Sequence, residues 1–214
     1  RWSRPNDRDH PHDRNHIMSA MLGGLRRSAP IVAPTIVVTA ALQAVLVALA
    51  GIPSSDIGYM LMAAASLAVA VASTGVLATA IAAGVEPDRG LHRAFPTGST
   101  WGMASLVAVG AFLAAILLVV VMPVILVFGL VTLPAVAAAR HPLTGLRALR
   151  VNAMRSAVAV LSSVVIVSLG WVASLLLGLL AAGWLGAAIT WLAFGVLAAV
   201  LLAWWTVRSV PTAE

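Results

Sequence analysis

Long stretches without any charged residue limit what this chain can fold into. A helix rises 1.5 Å per residue, so about 20 apolar residues cross a bilayer core about 30 Å thick. Four stretches of that length or more contain no Asp, Glu, Lys, Arg or His: residues 30–50, 57–85, 157–180 and 185–207. Only 9% of all residues are charged, compared with roughly 25% in average soluble domains, which excludes a water-soluble globular fold. We therefore predict four transmembrane helices in these stretches.

The middle of the chain is also uncharged but too long for one crossing. Residues 101–139 would form a helix of about 60 Å, twice the thickness of the hydrocarbon core. An interior proline removes a backbone donor and breaks a helix, so we predict a break at Met122-Pro123. This gives a third helix over 103–121 and a short fourth helix over 124–138. The pair either reaches the far interface or is re-entrant and shielded by other helices, because a turn exposed to lipid leaves backbone groups unsatisfied.

The distribution of arginine predicts the topology. All 13 basic residues are arginines. If the chain crosses the membrane six times, the arginines of the connecting loops and the helix ends lie on one side: Arg26, Arg27, Arg89, Arg93, Arg140, Arg147, Arg150, Arg155 and Arg208. The positive-inside rule makes that side cytoplasmic. We predict an all-α polytopic membrane protein of six transmembrane helices with both termini in the cytoplasm. Its parts are a tail (1–28), a six-helix domain (29–208) and a short C-terminal tail (209–214).

The N-terminal tail is polar and charged, which predicts flexibility because few apolar side chains offset the entropy of ordering it. Met18 is an alternative first residue, in which case residues 1–17 are not part of the natural chain. Histidines and carboxylates of this tail could hold Zn²⁺ or Ni²⁺: Asp9, His10, His12, Asp13 and His16. A flexible segment gives such ligands no packed support, so we predict no metal site.

A basic segment over 143–157 is predicted to lie along the membrane interface. On a helix, its leucines form an imperfect apolar stripe, while its arginines lie near the lipid head groups. The candidate contacts to an anionic lipid or an acidic partner are Arg140, Arg147, Arg150 and Arg155. The alternative is that these arginines only set the topology.

This region also carries a resemblance to a known family. A helix ending in Pro134-Ala135-Val136 is followed by His141-Pro142-Leu143, then by Leu146-Arg147-Ala148-Leu149-Arg150 and a new hydrophobic helix. Over residues 120–165 this order resembles the membrane domain of glycerophosphodiester phosphodiesterases and related six-helix bacterial membrane proteins. The resemblance implies a six-helix fold in the bacterial cytoplasmic membrane. It implies no catalytic residue, since the chemistry of that family resides in a separate soluble barrel.

The predicted spans contain no ionisable Asp, Glu, Lys, Arg or His, whereas ion-coupled transporters generally need such groups at mid-membrane depth. Gln43 is the strongest polar side chain there. We predict that it joins two helices, and the alternative is that it binds a substrate. Small residues at four-residue spacing, Gly170, Ser174 and Gly178, predict a helix-packing face.

The functional prediction follows from what the chain lacks. It has no cysteine, no phosphate-binding loop, no G-x-S-x-G or H-E-x-x-H motif, and therefore no predicted enzymatic activity or cofactor. Topology accounts for its net charge of +6, so nucleic acid is not a predicted partner. We predict an accessory or scaffold subunit that packs with membrane lipids and other integral membrane proteins. The alternative is a carrier or permeation path for a lipid or other hydrophobic molecule, which requires a cavity lined by Gln43 and hydroxyl groups.

Overall fold

The computed structural model describes residues 11–50, 56–86, 95–117, 121–151, 153–180 and 183–209, although the side chains of 11–16, 147, 148, 150, 151, 153, 155 and 178–180 are not among the described parts. All regular structure in these residues is helical. The helices are α1 (Pro11–Ala50), α2 (Ile57–Val85), α3 (Gly98–Leu117), α4 (Met122–Ala137), α5 (Pro142–Val151), α6 (Ala153–Leu180) and α7 (Trp184–Ser209).

Five of these helices are long and apolar enough to cross a membrane: Ile17–Ala50 within α1, α2, α3, Ser156–Leu177 within α6, and α7. The predicted class, an all-helical polytopic membrane protein, agrees with this result. Helix α4 is apolar but has 16 residues, a length of about 24 Å, which is shorter than the hydrocarbon core.

Helix α1 differs from the prediction for the N-terminal region. Residues 1–28 were expected to be a flexible tail, but the helix begins at Pro11 and continues without a break to Ala50. Polar composition set the predicted boundary, while apolar side chains within the same region support the helix. Met21 and Leu25 pack against the buried core of the bundle. Residues 1–10, with two of the predicted metal-ligand candidates, lie outside the described residues.

Helices α1 and α2 cross closely where neither carries a bulky side chain. A Cβ atom placed on Gly84 would lie 2.5 Å from the carbonyl oxygen of Gly24 and 3.0 Å from the Cβ of Ser28. The Ser28 hydroxyl, which is fully buried, donates to the carbonyl of Leu25 at 3.2 Å. Small residues let the two backbones approach, and this fixes the relative height of α1 and α2.

The predicted break in the middle region lies where α4 begins. Helix α3 ends at Leu117, and Pro123 stands in the first turn of α4, where its missing N–H leaves no hydrogen bond unmade. The two helices pack against each other through Gly129, since a Cβ there would lie 2.5 Å from a methyl group of Val107.

The predicted interfacial segment 143–157 is helical on both sides of residue 152, which lies outside the described residues. Helix α5 spans Pro142–Val151, and α6 begins at Ala153. Helix α5 lies against α4 through Gly145, whose Cβ would meet the carbonyl oxygen of Val131. Leu146 and Leu149 pack on the core.

The helices form a closed ring whose buried core lies at one end. Helix α1 packs between α2 and α7, and the order continues through α3, α4 and α6 back to α7. The buried residues are concentrated in the C-terminal parts of α2, α4 and α7. We call the end of the bundle that contains these buried residues the arginine-rich end, because Arg26, Arg27, Arg140 and Arg208 lie there. The other level, where α1 ends and α2 begins, is named the open end.

Candidate functional site

A cavity of about 750 Å³ lies inside the ring, between the buried core and the open end. All six of the apolar helices α1, α2, α3, α4, α6 and α7 contribute to its wall. Most of the wall is aliphatic or aromatic. The polar side chains that line it are Thr39, Gln43, Tyr59, Ser66, Ser73, Thr74, Ser174 and Thr190.

The cavity is closed toward the arginine-rich end and extends toward the open end. Leu77, Leu130 and Leu202 line its inner boundary, and all three belong to the buried core. On α1 the wall runs from Ile36 to Ala50, a distance of about 21 Å at the helical rise. The cavity therefore occupies the half of the bundle where the helices are least buried.

Gln43 and Ser66 form a reciprocal pair across α1 and α2. The Gln43 Nε2 donates to the Ser66 carbonyl oxygen at 2.9 Å, and the Ser66 hydroxyl donates to the Gln43 Oε1 at 2.6 Å. Gln43 is only 1% exposed, yet it lines the cavity. An amide side chain can form up to four hydrogen bonds, so this pair joins two helices and retains capacity toward the cavity.

The remaining serine and threonine hydroxyls of the wall fall into two sets. Ser73 and Thr74 both donate to the carbonyl of Ala70, at 3.0 and 2.7 Å, and Ser174 donates to the carbonyl of Trp171 at 2.7 Å. The side-chain hydroxyls of Thr39 and Thr190 form no hydrogen bond within the described part of the chain. These two hydroxyls are free to bind a molecule in the cavity.

Aromatic side chains line the same space. Trp171 and Trp191 both border the cavity, as do Phe112 and Phe194. Among the lining residues that the structure describes, the phenol of Tyr59 is the only ionisable group. The described part of the site consequently offers shape, apolar surface and neutral hydrogen-bonding groups.

The arginine-rich end is held by contacts of Arg140, which joins three elements. Its Nη2 donates to the Glu86 Oε1 at 3.0 Å, just after α2, and its Nη1 donates to the Ser209 carbonyl oxygen at 3.1 Å, at the end of α7. The sequence analysis predicted Arg140 as a contact to a lipid or partner and did not single out Glu86. The two are 54 residues apart, so no local pattern could indicate their pairing.

We expect the Arg140–Glu86 pair to contribute modestly to stability. Both side chains are partly exposed, so a double-mutant cycle of Arg140→Gln and Glu86→Gln should give a coupling of about 0.5–1 kcal/mol. The free energy of unfolding in mixed micelles measures it. The coupling should decrease at high salt, and a coupling of zero at low salt would show that the pair does not hold this end together.

For most of the other predicted site residues, the side chains lie outside the described parts of the structure. Arg147 and Arg150 lie on α5 and Arg155 on α6, with side chains outside the described parts. In the predicted packing face, a Cβ on Gly170 would lie 3.1 Å from Leu197 of α7, whereas Ser174 borders the cavity. Gly178 is helical, and its surroundings are not described.

The cavity wall follows a helical spacing that sequence reasoning did not use. On α1 the lining residues Ile36, Thr39, Gln43 and Ala50 recur at intervals of three, four and seven. This pattern alone cannot separate a cavity wall from a helix contact, because both produce the same periodicity.

The chain matches no protein-family model, no curated protein and no solved structure. The resemblance of residues 120–165 to the glycerophosphodiester phosphodiesterase membrane domain therefore stays a prediction.

Proposed function

We propose that this protein is a non-catalytic carrier that binds a hydrophobic or amphiphilic small molecule within the membrane. The observation that carries the proposal is the cavity lined by Gln43 and several hydroxyls, the feature that distinguishes a carrier from a solid accessory subunit. Its volume of about 750 Å³ falls in the range of roughly 300–1,000 Å³ typical of small-molecule sites.

The one-sided shape of the cavity supports binding and release at the open end. The core of α2, α4 and α7 closes the arginine-rich end, and the Arg140 contacts lie beyond this core. Release to the other side would require these helices to separate. A carrier with this arrangement exchanges its ligand from one side or from the membrane plane.

We further propose six crossings, with the arginine-rich end in the cytoplasm of a bacterial cell. An even number of crossings supports this topology, because it keeps the basic loops on one side. Helix α4 completes the ring although it is short, and its C-terminal half is buried by its neighbours rather than exposed to lipid. The cavity then opens away from the cytoplasm.

The role of accessory subunit in a larger membrane complex stays a prediction. It would require an outer face that binds another integral membrane protein, and the cavity gives no support to it. Purification in native membrane particles followed by mass spectrometry of the bound proteins and lipids distinguishes the two functions.

A bulky residue in the cavity wall tests the carrier proposal. Ala63 on α2 lines the cavity, whereas the adjacent Ala64 is exposed on the outer surface. We expect Ala63→Phe to reduce labelling of cavity residues by a photoactivatable monoacylglycerol at least fivefold in phosphatidylcholine nanodiscs, because the ring occupies part of the cavity. Peptide mass spectrometry locates the labelled residues.

Ala64→Phe is the matched control, since it adds the same side chain to the same helix outside the cavity. It should leave cavity labelling unchanged. Labelling confined to outward-facing residues in the unmodified protein would overturn the carrier proposal.

A further inference from the structure

We propose that the ligand of this cavity is an amphiphile whose head group is uncharged and forms hydrogen bonds. This inference rests on the proposed function and narrows it to a substrate class. Long-chain alcohols, monoacylglycerols and fatty amides belong to this class, whereas fatty acids and alkylammonium ions do not.

The absence of a countercharge in the wall is the first observation. Apart from Tyr59, the lining residues within the described part of the chain carry no ionisable group. The segments nearest the open end that lie outside the described residues, 51–55, 118–120 and 181–182, contain no Asp, Glu, Lys, Arg or His in their sequence. A charge moved from water into such a space is penalised strongly because nothing compensates its lost hydration.

The nearest carboxylate is already engaged. Asp56 begins α2 at the open end, and its side chain accepts a hydrogen bond from the Tyr59 backbone N–H at 2.8 Å. It does not line the cavity. Among the charged residues whose side chains the structure describes, Glu86 and the arginines at 26, 27, 140 and 208 lie at the arginine-rich end, beyond the buried core. The cavity therefore favours neither sign of charge.

The distribution of polar groups along the cavity is the second observation. Gln43 and Ser66 lie at one level, and α2 continues inward from Ser66 to Leu77 for about 16 Å. The hydroxyls along that inner stretch, on Ser73 and Thr74, donate to their own helix. A head group at the level of Gln43 and an apolar chain directed toward Leu77 match this arrangement.

Thr39 and Thr190 supply hydroxyls slightly deeper than Gln43, since Thr39 precedes it on α1 by one helical turn, about 6 Å. Ile36 meets Gly195 where α1 packs against α7, since a Cβ on Gly195 would lie 2.7 Å from it. The antiparallel course of the two helices then brings Thr39 and Thr190 to similar heights. Both hydroxyls line the cavity and form no hydrogen bond within the described residues. They can donate to and accept from a neutral head group.

Three probes that share one diazirine-bearing alkyl chain test the head-group preference. They are a monoacylglycerol, a fatty acid at a pH that keeps it ionised, and an alkyltrimethylammonium ion, each in phosphatidylcholine nanodiscs. We expect the monoacylglycerol to label cavity residues at least tenfold more than either ion, a difference of about 1.4 kcal/mol. Labelling of outward-facing residues provides the normalisation for each probe.

The outcomes separate the two proposals. Equal cavity labelling by all three probes, or preferred labelling by either ion, would overturn the uncharged-ligand inference and leave the carrier proposal intact. No cavity labelling by any probe would overturn the carrier proposal itself.

Isosteric removal of the free hydroxyls provides a second measurement. The double variant Thr39→Val and Thr190→Val keeps the wall volume, so we expect labelling by the monoacylglycerol to fall about fivefold while labelling by its methyl-ether analogue changes little. Thr35→Val is the matched control, because that hydroxyl donates to the carbonyl of Ile31 at 2.7 Å and does not line the cavity. Equal labelling of the double variant and the unmodified protein by the monoacylglycerol would show that these hydroxyls do not select the head group.

Discussion

Replacing Gly84 with alanine is expected to lower the free energy of unfolding by about 1–3 kcal/mol, the cost of overpacking a close contact. The new methyl group would lie 2.5 Å from the carbonyl oxygen of Gly24, a backbone atom that cannot move aside without shifting α1. A larger residue such as valine should have a greater effect and reduce the yield of folded protein. Unfolding in mixed micelles measures the change.

Gly102→Ala is the matched control for this prediction. Gly102 lies on α3, and a Cβ there would meet nothing within 4 Å. Alanine favours the helix over glycine by up to about 1 kcal/mol, so this substitution should be neutral or stabilising. A Gly84→Ala protein as stable as Gly102→Ala would show that α1 and α2 do not cross at the observed distance.

Labelling of single cysteines should give an all-or-none result for topology. The sequence has no cysteine, so a cysteine introduced at Ser55 or at Ser156 is the only reactive thiol. In the sequence, Ser55 directly precedes Asp56, the N-cap of α2 at the open end, and Ser156 lies near the start of α6 at the arginine-rich end. In intact cells, a membrane-impermeant thiol reagent should modify Ser55→Cys and not Ser156→Cys.

Permeabilised cells provide the control, since both cysteines should then react. Modification of Ser156→Cys in intact cells, with Ser55→Cys protected, would place the arginine-rich end outside. The cavity would then open to the cytoplasm, and the proposed direction of exchange would be reversed.

The class of fold could be predicted because the bilayer constrains it so strongly. Uncharged stretches of fixed length indicate helices directly, and Pro123 marks the start of α4 because its chemistry acts locally. The polar start of α1 was misjudged as a flexible tail for the opposite reason. Its helix is supported by Met21 and Leu25 packing on the core, and these contacts are tertiary.

The sequence predicted that a carrier would require a cavity lined by Gln43 and hydroxyl groups. It did not predict where that cavity lies or which helices form its wall. Gln43 could be recognised as an unusual polar residue within a span, but its pairing with Ser66 depends on the register of α1 against α2. That register is set by the close contact of Gly24 and Gly84, and the sequence contains 17 glycines with no local sign of which ones meet. The Arg140–Glu86 pair escaped prediction for the same reason.

The contacts of α1 have a consequence for the order in which the protein is made. Synthesis proceeds from the N-terminus, so α2 is the first partner available to α1 and α7 is the last. The amide side chain of Gln43 on α1 forms its two hydrogen bonds with Ser66 of α2, within this first pair of helices. The face of α1 that later packs against α7 carries Ile36, and lipid tails can surround this apolar side chain at little cost in free energy. The newly inserted chain can therefore pause between helices without leaving a buried amide unpaired in the membrane.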